Sequence, residues 1–142
     1  MAIELRDIDH VGIAVEDLDT AVELYRSTLG VEPSHRERVA DQGVEEVLFP
    51  VGSSFIQLLG AIGPDSPIGR SLESRGPGIH HVAYRVPDLI AALDHLRAEG
   101  VRLIDDAPRA GSRNTLIAFA HPRSMGGVLV ELVQEWSATG SR

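Results

Sequence analysis

Four polar side chains lie inside apolar, strand-like runs, and their spacing repeats along the chain. His10 and His81 each follow the pattern Ile-x-His-Val, 71 residues apart, while Gln57 and Glu131 lie in later apolar runs, 74 residues apart. A single histidine or glutamine on a strand is usually a hydrogen-bonded core or surface residue. Matched pairs favour a shared role instead, and a carboxylate among valines and leucines is costly to bury unless it is paired or binds a metal. The four residues are therefore candidate metal ligands.

The chemistry of these donors narrows the choice of ion. Two imidazoles, one amide oxygen and one carboxylate favour divalent cobalt, nickel, zinc, manganese or iron over calcium or magnesium. The chain has no cysteine, which excludes thiolate ligands and disulfides. Four protein ligands would leave about two positions free on a six-coordinate ion. A substrate with two neighbouring oxygens could chelate there.

A duplicated order of elements positions these residues. Helices are predicted between Asp17 and Gly30 and between Asp88 and Gly100, because apolar residues recur there at helical spacing. Each half then ends in apolar strands, for which the matching runs are 52–58 and 126–132. The sequence predicts an α+β fold in which two tandem βαβββ modules form a cupped open barrel.

The predicted modules share one domain over residues 1–142. Repeat one is expected at about 6–60 and repeat two at about 78–136, with a linker over 61–77. This linker is rich in glycine, proline and serine and lacks periodicity, so we expect at most one short helix there, around Ile68 to Ser74.

Alternation along the strands directs the two histidines away from the helices. Successive side chains on a strand point to opposite faces, so His10 and His81 should face the concave side, together with Gln57 and Glu131. The opposite faces should pack under the helices. The residues expected there are Val11, Ile13, Val15, Val82, Tyr84 and Val86.

Charge and hydropathy exclude several classes of partner. The formal net charge of −8 argues against a nucleic-acid-binding protein. The apolar runs are far shorter than the roughly 20 residues that cross a bilayer, so we expect no membrane span and a cytoplasmic protein. An anionic ligand would need a local group of cations. The candidates are Arg36, Arg38, Arg109, Arg113 and Arg123.

Five segments, taken in order, resemble a known family over nearly the whole chain. They are residues 8–11, 41–44, 78–83, 121–124 and 127–132. In these segments the chain resembles the methylmalonyl-CoA epimerases of the vicinal-oxygen-chelate, or glyoxalase-like, superfamily. The resemblance implies epimerisation at C2 of an acyl-CoA thioester, methylmalonyl-CoA, by proton abstraction through a metal-chelated enolate and reprotonation on the opposite face.

The resemblance also implies roles for individual residues. The metal ligands would be His10, Gln57, His81 and Glu131, with cobalt as the expected ion and zinc, nickel or manganese as alternatives. The general base would be Glu46, which lies three residues after the glycine of the Gln-Gly-Val segment, and Glu131 would be the second acid or base. A homodimer is expected. The residues expected to contact substrate are Ser112, Arg113, His121 and Ser124.

Other activities use related scaffolds. A glyoxalase I-like lyase would share the fold and the metal but, by resemblance, carries glutamate where this chain has Gln57. An extradiol dioxygenase needs two histidines and one carboxylate, so Gln57 would be a superfluous ligand. A metal-free, ligand-sequestering resistance protein would need an aromatic groove, whereas only 4% of these residues are aromatic.

Overall fold

Strands and helices follow the order β-α-β-β-β twice along the chain. The computed structural model describes residues 3–135, which divide into two units, one of residues 10–80 and one of residues 3–9 with 81–135. The ends of the predicted domain, residues 1–2 and 136–142, lie outside the described residues, and the boundaries of the two repeats stay a prediction. Among the described helices, none has the length and apolar character needed to span a bilayer.

The first module and the segment after it contain four strands and two helices. The strands lie in the order β2-β3-β4-β1, with β1 parallel to β4 and the other neighbours antiparallel. The elements are β1 (Asp7–Ala14), α1 (Leu18–Leu29), β2 (His35–Val39), β3 (Val44–Val51), β4 (Ser54–Ala61) and α2 (Pro67–Arg75).

The second module repeats this arrangement. Its strands lie in the order β5-β8-β7-β6, with β5 parallel to β8 and the other neighbours antiparallel. The elements are β5 (Gly78–Arg85), α3 (Leu89–Ala98), β6 (Arg109–Ala110), β7 (Thr115–Ala120) and β8 (Val130–Glu135). The predicted α+β class and the two βαβββ modules are confirmed.

The helices begin and end where the sequence predicts. Asp17 precedes α1, and Gly30 ends it with a left-handed φ of 68°, a conformation that glycine adopts without strain. The carboxylate of Asp88 accepts a hydrogen bond from the Ala91 amide and so caps α3. The predicted linker helix exists as α2, and it packs through Ile68 against the apolar cluster around Leu59.

The starts of two predicted strands were wrong. The run 126–132 becomes a strand only at Val130, and the run 52–58 only at Ser54. Gly52, Gly126 and Gly127 have φ values of 59°, 68° and 93°, which belong to turns rather than to extended backbone. The apolar pattern therefore predicted strands in the right parts of the chain, but because of the glycines the strands begin only at Ser54 and Val130.

Each module packs its helix on one face of its strands. Ile13 and Val15 lie in the cluster that includes Leu18 of α1, and Tyr84 and Val86 lie in the cluster that includes Leu89 of α3. The predicted helix-facing side of both histidine strands is thus confirmed at these positions. The opposite face is left for the polar residues.

Candidate active site

Within residues 10–80, strand register brings three buried polar side chains to one face. Gln57 on β4 lies opposite Gly12 on β1 and opposite Leu48 on β3. His10 and Glu46 each lie two residues before those partners, and side chains two apart on a strand share a face. His10, Glu46 and Gln57 are all buried.

The paired glutamates of β3 have opposite environments. The side chain of Glu45 is 28% exposed and forms an ion pair with Arg36 at 2.8 Å. Glu46 is only 2% exposed and lies on the face of Gln57. The structure thus separates a surface glutamate from a buried one, as the alternation of a strand requires.

Gln57 and Glu46 are joined by a hydrogen bond. The Gln57 Nε2 donates to Glu46 Oε1 at 2.9 Å. The remaining oxygens of the pair, Glu46 Oε2 and Gln57 Oε1, are buried and have no hydrogen-bond partner among the described residues. Buried polar atoms are rarely left in this state, so these two oxygens are candidates for binding a ligand.

A histidine and a second glutamate lie beside Glu46. His35 on β2 pairs across to Leu48, and Glu37 lies directly opposite Glu46. The His35 Nε2 is 2.8 Å from Glu37 Oε1 and 3.9 Å from Glu46 Oε2. Neither His35 nor Glu37 was predicted as a site residue from the sequence. The available signal was their spacing of two, which places them on one face of a short strand leading to the Gln-Gly-Val segment.

In the other unit, His81 and Glu131 form a buried pair. Ala83 on β5 lies opposite Glu131 on β8, and His81 lies two residues before Ala83. The His81 Nε2 is 3.0 Å from Glu131 Oε1, and both side chains are about 95% buried, with 5% and 6% of their surface exposed. The edge of the His81 ring packs against Phe119, with ring centres 5.4 Å apart.

Asp9, the residue before His10, is fully buried between two arginines. Its carboxylate accepts hydrogen bonds from Arg85 at 2.8 Å and from Arg113 at 2.6 Å. Burial opposes the charge of Arg85, but the hydrogen bond from Arg85 to Asp9 and the charges of Asp9, Glu135 and Asp7 outweigh it, so the pKa of Arg85 lies above its ordinary value. Asp9 lies in the motif at 8–11, but its burial between two arginines was not predicted from the sequence.

Two of the four remaining predicted cations, Arg36 and Arg109, form ion pairs with carboxylates. Arg36 contacts Glu45 and Asp19, and these hydrogen bonds raise its pKa above the ordinary value. Arg109 pairs with Asp105 at 3.1 Å. Arg38 and Arg123 are exposed.

The predicted substrate-contacting residues lie in two short loops. Arg113 lies between Ser112 and Asn114 in a single-turn 3-10 helix and has a left-handed φ of 54°. His121 caps a second such turn, where its Nδ1 accepts a hydrogen bond from the Arg123 amide. The hydroxyl of Ser124 accepts from the Arg102 amide at 2.9 Å.

The donor atoms of both units fit a divalent cation. In one unit Gln57 presents a buried amide oxygen that accepts no hydrogen bond from any residue between 3 and 135, beside a buried His10 on the same face. In the other, an imidazole and a carboxylate are buried against each other. Burial of such donors without solvent is costly unless they are paired or bind an ion, and imidazole with oxygen donors suits a transition metal.

Comparison with known proteins assigns the scaffold. A family model described as the Glyoxalase/Bleomycin resistance protein/Dioxygenase superfamily matches residues 9–119. The chain belongs to this superfamily.

Individual relatives define the family more narrowly. The chain is 39% identical over 129 residues to the ethylmalonyl-CoA/methylmalonyl-CoA epimerase of Cereibacter sphaeroides, a match covering 89% of this chain and 96% of that protein. It is 42% identical to the crystal structure of methylmalonyl-CoA epimerase from Mycobacterium tuberculosis, with a TM-score of 0.92 and coverage of 98% and 94%. A Streptomyces coelicolor methylmalonyl-CoA epimerase variant in complex with 2-nitronate-propionyl-CoA is 41% identical, with a TM-score of 0.92 and coverage of 94% and 100%. Within the superfamily, the chain belongs to the methylmalonyl-CoA epimerase family.

Proposed function

We propose that this protein interconverts the two C2 epimers of methylmalonyl-CoA by proton removal and return. Family membership supports this activity, and the observation that carries the mechanism is the buried carboxylate of Glu46. A carboxylate withdrawn from water, with one oxygen lacking a hydrogen-bond partner in the described part of the chain, is unfavourable for stability. Such a group is typical of a general base that meets its partner only when substrate is bound.

Glu46 is the proposed acceptor of the C2 proton. Gln57 donates to one carboxylate oxygen and so limits the orientations of the other. The C2 proton of a malonyl-type thioester is acidic because two carbonyl groups flank it. One correctly placed base contributes about 10²- to 10⁴-fold to such a step.

Four residues are proposed to hold a divalent cation, His10, Gln57, His81 and Glu131. A divalent cation bound there would stabilise the negative charge that develops on the substrate oxygens as the C2 proton leaves. This donor set is compatible with cobalt, zinc, nickel or manganese, and of these we propose cobalt. Elemental analysis of the purified protein checks it.

Inversion at C2 requires a proton donor on the face opposite Glu46. We assign this role to Glu131, which is the buried carboxylate of the second repeat. The two carboxylates then serve the two faces of the planar intermediate, and each epimer is deprotonated by one of them and reprotonated by the other.

Binding of the thioester is proposed to involve the loops that carry Ser112, Arg113, His121 and Ser124. Ser112 and Arg113 lie half-buried in a turn with left-handed backbone, which holds their positions closely. The ion pair with Asp9 would hold the Arg113 guanidinium in a fixed position for binding the thioester. The predicted homodimer and the cytoplasmic location remain proposals, and sedimentation of the purified protein tests the first.

The experiment that tests the proposed function is a comparison of Glu46→Gln with Glu45→Gln. Both substitutions remove one negative charge from β3, but only the first removes the proposed base. Incorporation of deuterium at C2 from heavy water, followed by NMR on methylmalonyl-CoA, should fall by about 10²-fold or more in Glu46→Gln. Bound cobalt should be unchanged, and Glu45→Gln should exchange at the rate of the unaltered protein. Near-normal exchange by Glu46→Gln excludes the assignment.

A further inference from the structure

His35 is a second neighbour of Glu46, and the proposed mechanism assigns it no role. His35 lies on β2, across from Leu48, and its Nε2 is 2.8 Å from Glu37 Oε1 and 3.9 Å from Glu46 Oε2. The histidine is half-buried, whereas Glu46 is fully buried. His35 thus lies between a buried carboxylate and one that reaches solvent.

The two carboxylates oppose each other in the strand register. Glu37 and Glu46 are direct partners across β2 and β3, and like charges at such positions are destabilising. An ionised carboxylate only accepts hydrogen bonds, so the Nε2 that contacts Glu37 carries a proton. The single Nε2–H of His35 is therefore a donor for which the two carboxylates compete.

We propose that His35 is a positioning residue for Glu46, and this inference rests on the proposed function. A movement of about 1 Å brings Nε2 from 3.9 Å to the roughly 2.9 Å of an N–H···O hydrogen bond with Glu46 Oε2. Gln57 then holds one oxygen of the ionised base and His35 holds the other, so the carboxylate plane is fixed before proton removal.

A bound cation is the other way to satisfy the same three side chains. His35, Glu37 and Glu46 each offer one ligand atom within 4.8 Å of the others. The hydrogen bond is favoured because His35 and Glu37 already satisfy each other at 2.8 Å. An ion there would also occupy Glu46 Oε2, for which residues 3–135 offer no hydrogen-bond partner.

The test measures kcat and KM of His35→Ala and His35→Gln in the cobalt-supplied protein. The alanine variant should lose about 10-fold in kcat, as is typical when a residue that orients an active group is removed, with KM nearly unchanged. Glutamine reaches a similar distance with an N–H donor, so His35→Gln should recover most of the lost kcat. His95→Ala, a histidine removal on α3 of the other unit, is the matched control and should be fully active.

A double-mutant cycle separates positioning from a general effect on the fold. If His35 acts through Glu46, adding His35→Ala to Glu46→Gln should change the residual rate by less than about twofold. The inference is overturned if His35→Ala is fully active, or if it costs as much in the Glu46→Gln background as alone. It is also overturned if the unaltered protein binds a second equivalent of cobalt that His35→Ala loses. Failure of the proposed function would appear separately, as an active Glu46→Gln single variant.

Discussion

The two repeats use one strand register for different chemistry. In the first, Gln57 lies opposite Gly12 and Leu48, and in the second, Glu131 lies opposite Ala83 and Phe119. In both repeats the histidine lies two residues before a small residue, His10 before Gly12 and His81 before Ala83. The duplicated strand register therefore presents one imidazole and one oxygen donor, the proposed ligands, in each repeat.

The repeats differ at the position two residues before Leu48 and Phe119. The first repeat has Glu46 there, and the second has Ile117, which lies in an apolar cluster with Ala83 and Val133. Opposite Ile117 lies Arg109, whose guanidinium is 5.8 Å from the centre of the Phe119 ring. The comparison shows that the proposed metal ligands have counterparts in both repeats, whereas the proposed proton acceptor Glu46 has Ile117 as its counterpart.

The largest expected effect comes from removing one histidine of either repeat. If a single ion takes ligands from both, His10→Ala and His81→Ala should each lose bound cobalt and deuterium exchange to a similar extent. The loss of a ligand should exceed the roughly 10- to 100-fold fall in metal affinity that follows removal of a supporting residue. Elemental analysis after dialysis measures it.

The control for both variants is His80→Ala. His80 is the sequence neighbour of His81 on β5, and the strand pleat points it to the opposite face. If only one of the two variants, His10→Ala or His81→Ala, keeps its metal, then one repeat binds the ion alone. The expectation that both repeats contribute equally to metal binding would then be wrong.

A smaller effect is expected when the ligands of the two repeats are made identical. Gln57→Glu gives each repeat one histidine and one glutamate, but it replaces the donor to Glu46 with a second carboxylate at 2.9 Å. Like charges at this distance favour the protonated form of one of them, so the base is partly lost. We expect cobalt to remain bound and exchange at C2 to fall by about 10- to 100-fold, as measured by NMR. Unchanged exchange would show that the amide donor is dispensable.

The smallest effect is expected at Phe119, the counterpart of Leu48. Phe119→Leu makes the two repeats alike at this position and removes the edge contact with the His81 ring. Such aromatic contacts contribute about 0.5–1.5 kcal/mol, so thermal unfolding should shift by a few degrees, and metal content should be retained. A loss of cobalt in this variant would instead assign Phe119 a part in orienting His81.

Much of this arrangement could be predicted from the sequence because it follows from periodicity. The two modules were predicted from the interval between His10 and His81 and from the helical stripes after Asp17 and Asp88. The pleat of the strands predicted the face on which the proposed ligands lie. Periodicity is local, so it also placed strand starts at Gly52 and Gly126, where left-handed glycines form turns instead.

The partners of the site residues depend on register between strands, which the sequence does not reveal. The contact of His35 with Glu37 and Glu46 requires that β2 pair with β3 at one particular alignment. The burial of Asp9 by Arg85 and Arg113 joins residues 76 and 104 positions away. The spacing of two places His35 and Glu37 on one face of a strand but does not reveal that Glu46 lies opposite, and no short-range pattern marks the contacts of Asp9.

The division of the chain into units has a consequence for its synthesis. Residues 10–80 form one unit from a continuous stretch, whereas the other joins residues 3–9 to residues 81–135. As a ribosome extends the chain, the first unit can therefore be complete while Asp9 still awaits Arg85 and Arg113. Until most of the remaining chain has emerged, Asp9 stays exposed to water, and the unit that buries it can only form late.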